Sequence, residues 1–424
     1  MKKIRLLLCI LCVAAVSLCA AACSDNSQPS PADEPSAESA YPQSQTAQEN
    51  PTTPVDETPT PSEQTDATQA QQTQTPSEQT DATQAQQTQT APFVWQTDDP
   101  QNHDMDPAVL ADLDAALPNS SIYSMVVVKD GVIVDEYYQD GYDQNSLYRL
   151  NSATKSFTSA LIGIAIDQGY IGSVEDPLSD YLPQVLAQSD TRKQQITLKH
   201  LLTHTSGLEW YEWGNGYTNW SEFQSAPNWV DYILGRTLIY TPGTQFAYST
   251  GNTHLLTAAL EAATGMSAQE YARINLFEPL GITNFQWDTD PQGITDGGNG
   301  LHLSTRDAAR FGLLFLQNGQ WQGEQIVPAE WVATSTTIQN GGAGDGTGSY
   351  CYQWWRRVYH AGGYDTYTPP YGERGFDVYY ALGHGGQFLF VVPEIDLVCA
   401  ITANTGTYSP RPYFTDYVLS AYQG

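Results

Sequence analysis

Ser152 and Lys155 are the residues from which a reaction can be built. They stand three apart in the run Ser152-Ala153-Thr154-Lys155, directly ahead of an apolar stretch, and this serine–lysine spacing occurs once in the chain. On a helix, positions i and i+3 share a face, so the hydroxyl and the amine meet. A serine hydroxyl needs a base to become a nucleophile, and a lysine serves when burial or a second cation lowers its pKa. A helix start adds free backbone N–H groups and the positive end of the helix dipole, both suited to developing negative charge. The plain alternative is a solvated first turn.

Two further segments could complete a site. Residues 241–252 (TPGTQFAYSTGN) lead from a Pro-Gly turn through a short extended run to Tyr248-Ser249, just before a helix. A tyrosine presented there can pass a proton between nucleophile and leaving group; otherwise it is a half-buried aromatic at a helix entry. Tyr217-Thr218-Asn219 matches a Tyr-x-Asn pattern more literally, but Tyr217 lies in a Gly- and Trp-rich loop with no element to fix it, so position favours Tyr248. The second segment is Gly383-His384-Gly385-Gly386-Gln387, entering a strand. Residues without side chains let a substrate lie against the strand edge, and the Gln387 N–H could join that of Ser152 as an oxyanion hole. A glycine-rich bend with a solvent-facing histidine is the alternative.

Other candidates are weaker. His200 and His204 share a helix face, but no third metal ligand is near in sequence, so capping or packing is expected and no metal is assigned. Trp210, Trp213, Trp220 and Trp229 could wall a cleft or fill a core. Glu209 and Glu212 could face a cationic end of a substrate. Cys351 and Cys399 sit in strand-like runs and read as buried free thiols, with a disulfide as the alternative.

These residues need elements to hold them. Residues 124–129 (SMVVVK), an Asp-Gly turn and residues 132–138 (VIVDEYY) form a hairpin. A helix is predicted from about Asn151 or Ser152 to Gly169, with Phe157, Leu161, Ile164 and Ala165 on one face. A second stops at Gly207, and a third spans about 252–264 before Gly265. Ser267 and Glu270 cap a fourth; residues 304–317 make a fifth, and Pro328 starts a sixth. Strands return at 349–356, 386–392 and 397–403, and a last helix covers 414–422. Strands at both ends with helices between predict an α+β fold. It has one antiparallel sheet flanked by helices, with a mostly helical subdomain.

The first 92 residues are of another kind. Lys2, Lys3 and Arg5 precede an apolar run at 6–18, and Ala20-Ala21-Ala22 precede Cys23. Residues 1–22 read as a signal peptide, and the alanines with Cys23 resemble a bacterial lipobox, which implies lipid on Cys23. Residues 24–92 hold 11 acidic and no basic residues, and a 15-residue unit at 61–75 recurs unchanged at 76–90. Nothing there has an apolar face, so residues 23–92 are expected to be a lipidated cysteine and a disordered tether. The tether spans roughly 45 Å on average. The globular domain is then 93–424. The formal net charge of −30 argues against nucleic acid as a partner and against a polybasic grip on anionic lipid. Oligomeric state is left open.

Taken together the motifs resemble the serine β-lactamase and penicillin-binding-protein superfamily, in its class C-like branch with esterases, D-aminopeptidases and 6-aminohexanoate-dimer hydrolases. The resemblance rests on the Ser-x-x-Lys helix and the runs DPLSDYLP (176–183), ITLKHLLTHTSGL (196–208), FAYSTGNTHLL (246–256), GLHLSTRDAARFG (300–312) and GHGGQ (383–387). It implies the β-lactamase/transpeptidase-like fold and no cofactor. Ser152 would be the acylated nucleophile, Lys155 the base and Tyr248 the proton relay, with Ser152 and Gln387 as oxyanion donors and Gly385, Gly386 and His384 along the substrate strand. His384 stands where β-lactamases and D,D-peptidases usually carry lysine, and histidine is a weaker partner for a carboxylate. Thr250 replaces the usual asparagine and lacks its amide. Both point to a small amide or ester cleaved outside the membrane rather than a penicillin. A D,D-carboxypeptidase or β-lactamase, and a non-catalytic wall-binding module, are the alternatives.

Overall fold

The computed structural model describes residues 93–212, 219–344, 346–362, 375–406 and 409–424. The signal segment, Cys23, the tether, Trp213 and Tyr217 lie outside these residues.

The fold is α+β. The hairpin appears as β1 (Ile122–Lys129) and β2 (Val132–Tyr138), joined at Asp130-Gly131. The C-terminal third supplies β3 (Ser349–Tyr350), β4 (Trp355–His360), β5 (Gly375–Gly383), β6 (Gln387–Val392) and β7 (Leu397–Ala403). Every pairing is antiparallel and the order is β2-β1-β7-β6-β5-β4-β3. The two chain ends meet in the middle, where Val127 pairs with Cys399 and Lys129 with Leu397.

Helices cover both faces of the sheet. Alternate residues of β1 point to opposite sides, as a pleated strand requires. Val126 and Val128 join one core, with Phe157, Leu161 and Phe311. Met125 and Val127 join another, with Leu110, Leu113 and Phe414. The first core lies under α2 (Thr154–Asp167) and α5 (Thr305–Leu316). The second lies under α1 (Pro107–Ala116) and a wide turn of helix at Tyr413–Val418. This double cover explains why β6 and β7 are buried along their whole length and read as unbroken apolar runs. Cys351 falls in the first core and Cys399 in the second, both as free buried thiols.

The helical subdomain between β2 and residue 301 contains α3 (Leu198–Leu202) and α4 (Thr250–Thr264). α4 starts two residues earlier than the sequence pattern predicts, because Ser249 caps it by accepting from the Asn252 N–H at 3.1 Å. The predicted strand over 349–356 is broken: Cys351–Trp354 leave the sheet and Gln353 takes a left-handed φ of 62°. β5 and α1 were not predicted.

Candidate active site

The nucleophile does not sit in an α-turn. Asn151–Ala153 form a tight 3-10 turn and α2 begins at Thr154. Asn151 has a left-handed φ of 49°, and its side-chain amide donates to the His384 carbonyl at 2.8 Å. The turn is thereby fastened to the bend between β5 and β6. The approach is close enough to need glycine: a Cβ on Gly383 would sit 2.1 Å from the Leu150 carbonyl oxygen. A second fastening comes from a small three-stranded ribbon of Tyr148–Arg149, Leu301–Leu303 and Gln286–Trp287. It brings the loop 296–300 (DGGNG) against the start of α2, where Leu150 N–H donates to Leu301 O at 2.8 Å. Gly298 lies so near α4 that a Cβ there would meet Thr250 Cγ2 at 2.6 Å.

Lys155 is 1% exposed. Its Nζ lies 3.1 Å from Ser152 Oγ, 3.0 Å from Thr250 Oγ1 and 2.9 Å from Gly298 O. Burial pulls its pKa down to about 8, while the charges of Glu212 and Asp296 oppose the fall. Ser152 Oγ also donates to Asn299 Oδ1 at 3.1 Å. The Tyr248 ring lies 5.1 Å from Lys155 Nζ and stacks on Trp355 with centroids 5.8 Å apart. Burial, and then the Glu212 charge, push the Tyr248 hydroxyl far above its ordinary pKa, against a hydrogen bond with Ser152. Tyr248 is therefore a protonated phenol at neutral pH, and Lys155 is the group poised near neutrality.

A cleft of about 230 Å³ opens on Ser152 and is lined by Tyr248, Ala343, Thr347, Trp355, Leu382, Gly383 and His384. A larger depression of about 890 Å³, edged by Ile338, Arg356 and Asp377, contains none of the reactive groups.

Ser152, Lys155, Tyr248 and His384 thus come together. Gln387, whose backbone N–H is the expected oxyanion donor, opens β6 opposite Gly383. Its side chain turns inward, donating to Ala403 O at 2.6 Å and accepting from Ala403 N–H at 3.3 Å. The strand end that reaches the cleft is Gly383–His384. Gly385 and Gly386 form the bend itself, and Gly386 faces Pro410 and Thr405 rather than the cleft. Thr250 is buried outside the cleft lining, its hydroxyl 3.0 Å from Lys155 Nζ. Glu212 is also outside that lining: it is 8% exposed and accepts from Thr250 N–H at 2.9 Å, Thr250 Oγ1 and Trp210 Nε1. Glu209 pairs with Arg236 at 3.0 Å. His200 caps α3 by accepting from Thr197 N–H, and His204 is buried against Tyr248 and Tyr350. Trp210 and Trp229 are core residues, Trp220 packs against that core, and the cleft's indole is Trp355.

Sequence reasoning missed Trp355, Asn299 and Asp296. For the last two a signal existed: an Asp-Gly-Gly-Asn-Gly run is a loop built for close backbone approach. Asp296 is buried and accepts from the N–H groups of Gly298 and Asn299, both at 3.1 Å, which shapes the loop that holds Lys155 and Ser152.

Known proteins resemble this chain in sequence and in fold. The family model described as β-lactamase matches residues 110–423. The 6-aminohexanoate-dimer hydrolase of Paenarthrobacter ureafaciens is 24% identical over 266 residues, covering 58% of this chain and 67% of that enzyme. The β-lactamase of Escherichia coli strain K12 is 30% identical over 148 residues, covering 35% of this chain and only 36% of that one. A solved structure from Bacillus anthracis, of the 6-aminohexanoate-dimer-hydrolase type, superposes with a TM-score of 0.61 at 22% identity. It covers 78% of this chain and 86% of its own.

Proposed function

The chain belongs to the β-lactamase-type serine hydrolases, and from that membership we propose that it cleaves a small amide or ester through an acyl-enzyme on Ser152. The observation that carries the proposal is the Lys155 amine, sealed from water and 3.1 Å from Ser152 Oγ, with its pKa brought down to about 8.

In the first half-reaction neutral Lys155 takes the Ser152 proton as Oγ forms a bond to the substrate carbonyl carbon. The resulting oxyanion is held by the backbone N–H groups of Ser152 and Gln387. Tyr248 gives its phenolic proton to the leaving nitrogen or oxygen as that bond breaks, and Lys155 returns a proton to Tyr248. Water then attacks the acyl carbon, loses its proton to the same pair, and Ser152 recovers its own. The cleft's aromatic and aliphatic lining and its size favour a compact acyl group. Thr250, engaged with Lys155, offers no grip on the acylamide of a penicillin.

A fluorophosphonate probe is expected to label the wild type and leave Ser152→Ala unlabelled; equal labelling of both would remove Ser152 from the reaction. A panel of p-nitrophenyl esters, 6-aminohexanoate dimer, D-amino-acid amides and nitrocefin then places the substrate. Rapid nitrocefin turnover would move the assignment to a β-lactamase. We further propose, on the signal-like residues 1–22 and Cys23, that the enzyme is tethered by lipid to the outer face of a cell membrane.

A further inference from the structure

A neutral primary amine has two N–H groups and one lone pair, and which neighbour receives the lone pair decides whether Lys155 can act as a base. Three oxygen atoms surround Nζ. The Gly298 carbonyl, at 2.9 Å, can only accept and takes one N–H. Thr250 Oγ1, at 3.0 Å, could either donate or accept. Glu212 removes that freedom. Its Oε2 receives two obligate donors, Thr250 N–H at 2.9 Å and the Trp210 indole. Its Oε1 receives the Thr250 hydroxyl proton. With its single proton committed to the carboxylate, Thr250 offers Lys155 only a lone pair and takes the second N–H.

We propose that Glu212 is a positioning residue: by fixing the direction of the Thr250–Lys155 hydrogen bond, it leaves the Lys155 lone pair free for Ser152 Oγ, whose proton reaches it by rotating away from Asn299 Oδ1. This rests on the reading of Lys155 as the base. Glu212 touches neither nucleophile nor cleft. It works through Thr250, whose backbone and side chain it holds at the first turn of α4.

The charge of Glu212 has a separate effect that lets the two roles be told apart. The groups facing Lys155 are Glu212 and Asp296, which raise its pKa, the Tyr248 ring, and His204, buried and neutral against that ring. Arg149 lies 3.7 Å from Asp296 and moderates it. Removing the Glu212 charge lowers the Lys155 pKa and so enlarges the neutral fraction at pH 7. A role confined to charge therefore predicts a faster enzyme at neutral pH. A positioning role predicts a slower one.

The test is kcat/KM for p-nitrophenyl acetate across pH 5–10, read as a plateau and an acid limb. In Glu212→Gln the new amide donates to Thr250 Oγ1, reverses the bond and frees the threonine proton to compete for the lysine lone pair. The plateau is expected to fall about 100-fold, the lower end for lost acid–base alignment, while the limb moves below the wild-type position. Thr250→Val, which keeps the Glu212 bonds to the Thr250 N–H and to Trp210, is expected to lose a similar factor, and Thr250→Ser to recover most of it. A Glu212→Gln plateau within twofold of wild type would overturn the proposal, as would a fully active Thr250→Val. If Ser152→Ala retained activity, the acyl-enzyme reading would fail instead, independently of both variants.

Discussion

The rate of serine modification should follow the ionisation of Lys155, and the structure says where. The perturbation is pH alone. With a pKa of about 8, Lys155 is neutral in about one molecule in a hundred at pH 6, one in ten at pH 7 and half at pH 8. An ordinary lysine, at about 10.4, is neutral in only about four molecules in ten thousand at pH 7. Burial therefore enlarges the active fraction at neutrality by more than two orders of magnitude, equivalent to about 3 kcal/mol at 1.36 kcal/mol per unit. The sign is fixed: protonated Lys155 cannot accept from Ser152, so the rate climbs roughly tenfold per unit below pH 8 and levels above it. The assay is second-order inactivation by a fluorophosphonate. That reagent does not titrate over this range, and its reaction reports the serine rather than product release. A rate already level at pH 6.5 would refute the reasoning and hand the base role to a group with an ordinary or lower pKa. So would a rate still climbing tenfold per unit past pH 10, because Lys155 would then be as wet as a surface lysine.

Two further outcomes test the scaffold and the tether. Gly383→Ala places a methyl group against the Leu150 carbonyl oxygen. The nucleophile turn must shift, so esterase activity should drop at least tenfold, since displacements near 1 Å cost about 100-fold. The melting temperature should fall by a few degrees, in line with about 1–3 kcal/mol of overpacking; unchanged values in both would show that the turn yields freely. Cys23→Ser should move the protein from the membrane pellet to the soluble fraction and abolish incorporation of labelled fatty acid, whereas continued incorporation would place the lipid elsewhere.

What could be read from sequence divides along a physical line. Ser152 and Lys155 are placed relative to each other by local geometry, and three residues of tight turn and helix suffice. Tyr248 follows from a turn and a cap in its immediate neighbourhood. The surroundings of Gln387 were less legible, because the glycines at 385 and 386 reverse the chain within a hairpin. Which residue then faces the cleft depends on the pairing of Gly383 with Gln387, which only the assembled sheet sets. β5 escaped notice because its Tyr-rich run carries Gly375 and Asp377, although Phe376, Val378 and Tyr380 alternate into one core. Glu212 sits 57 positions from Lys155 and 38 from Thr250. No periodicity connects them, and an isolated acid in a Trp-rich stretch looks like surface until the fold buries it.

The central pairing of β1 with β7 also has a temporal consequence. Some 270 residues separate Val127 from Cys399. Closing a loop of that length costs about 5 kcal/mol of chain entropy before any contact offsets it. The middle of the sheet cannot form until nearly the whole polypeptide has been synthesised, and pairings this distant in sequence form slowly. Gly383 and His384, which complete the cleft, arrive in the same late segment. A growing chain thus carries Ser152 and Lys155 for more than two hundred residues of elongation before the segment that completes the cleft is made.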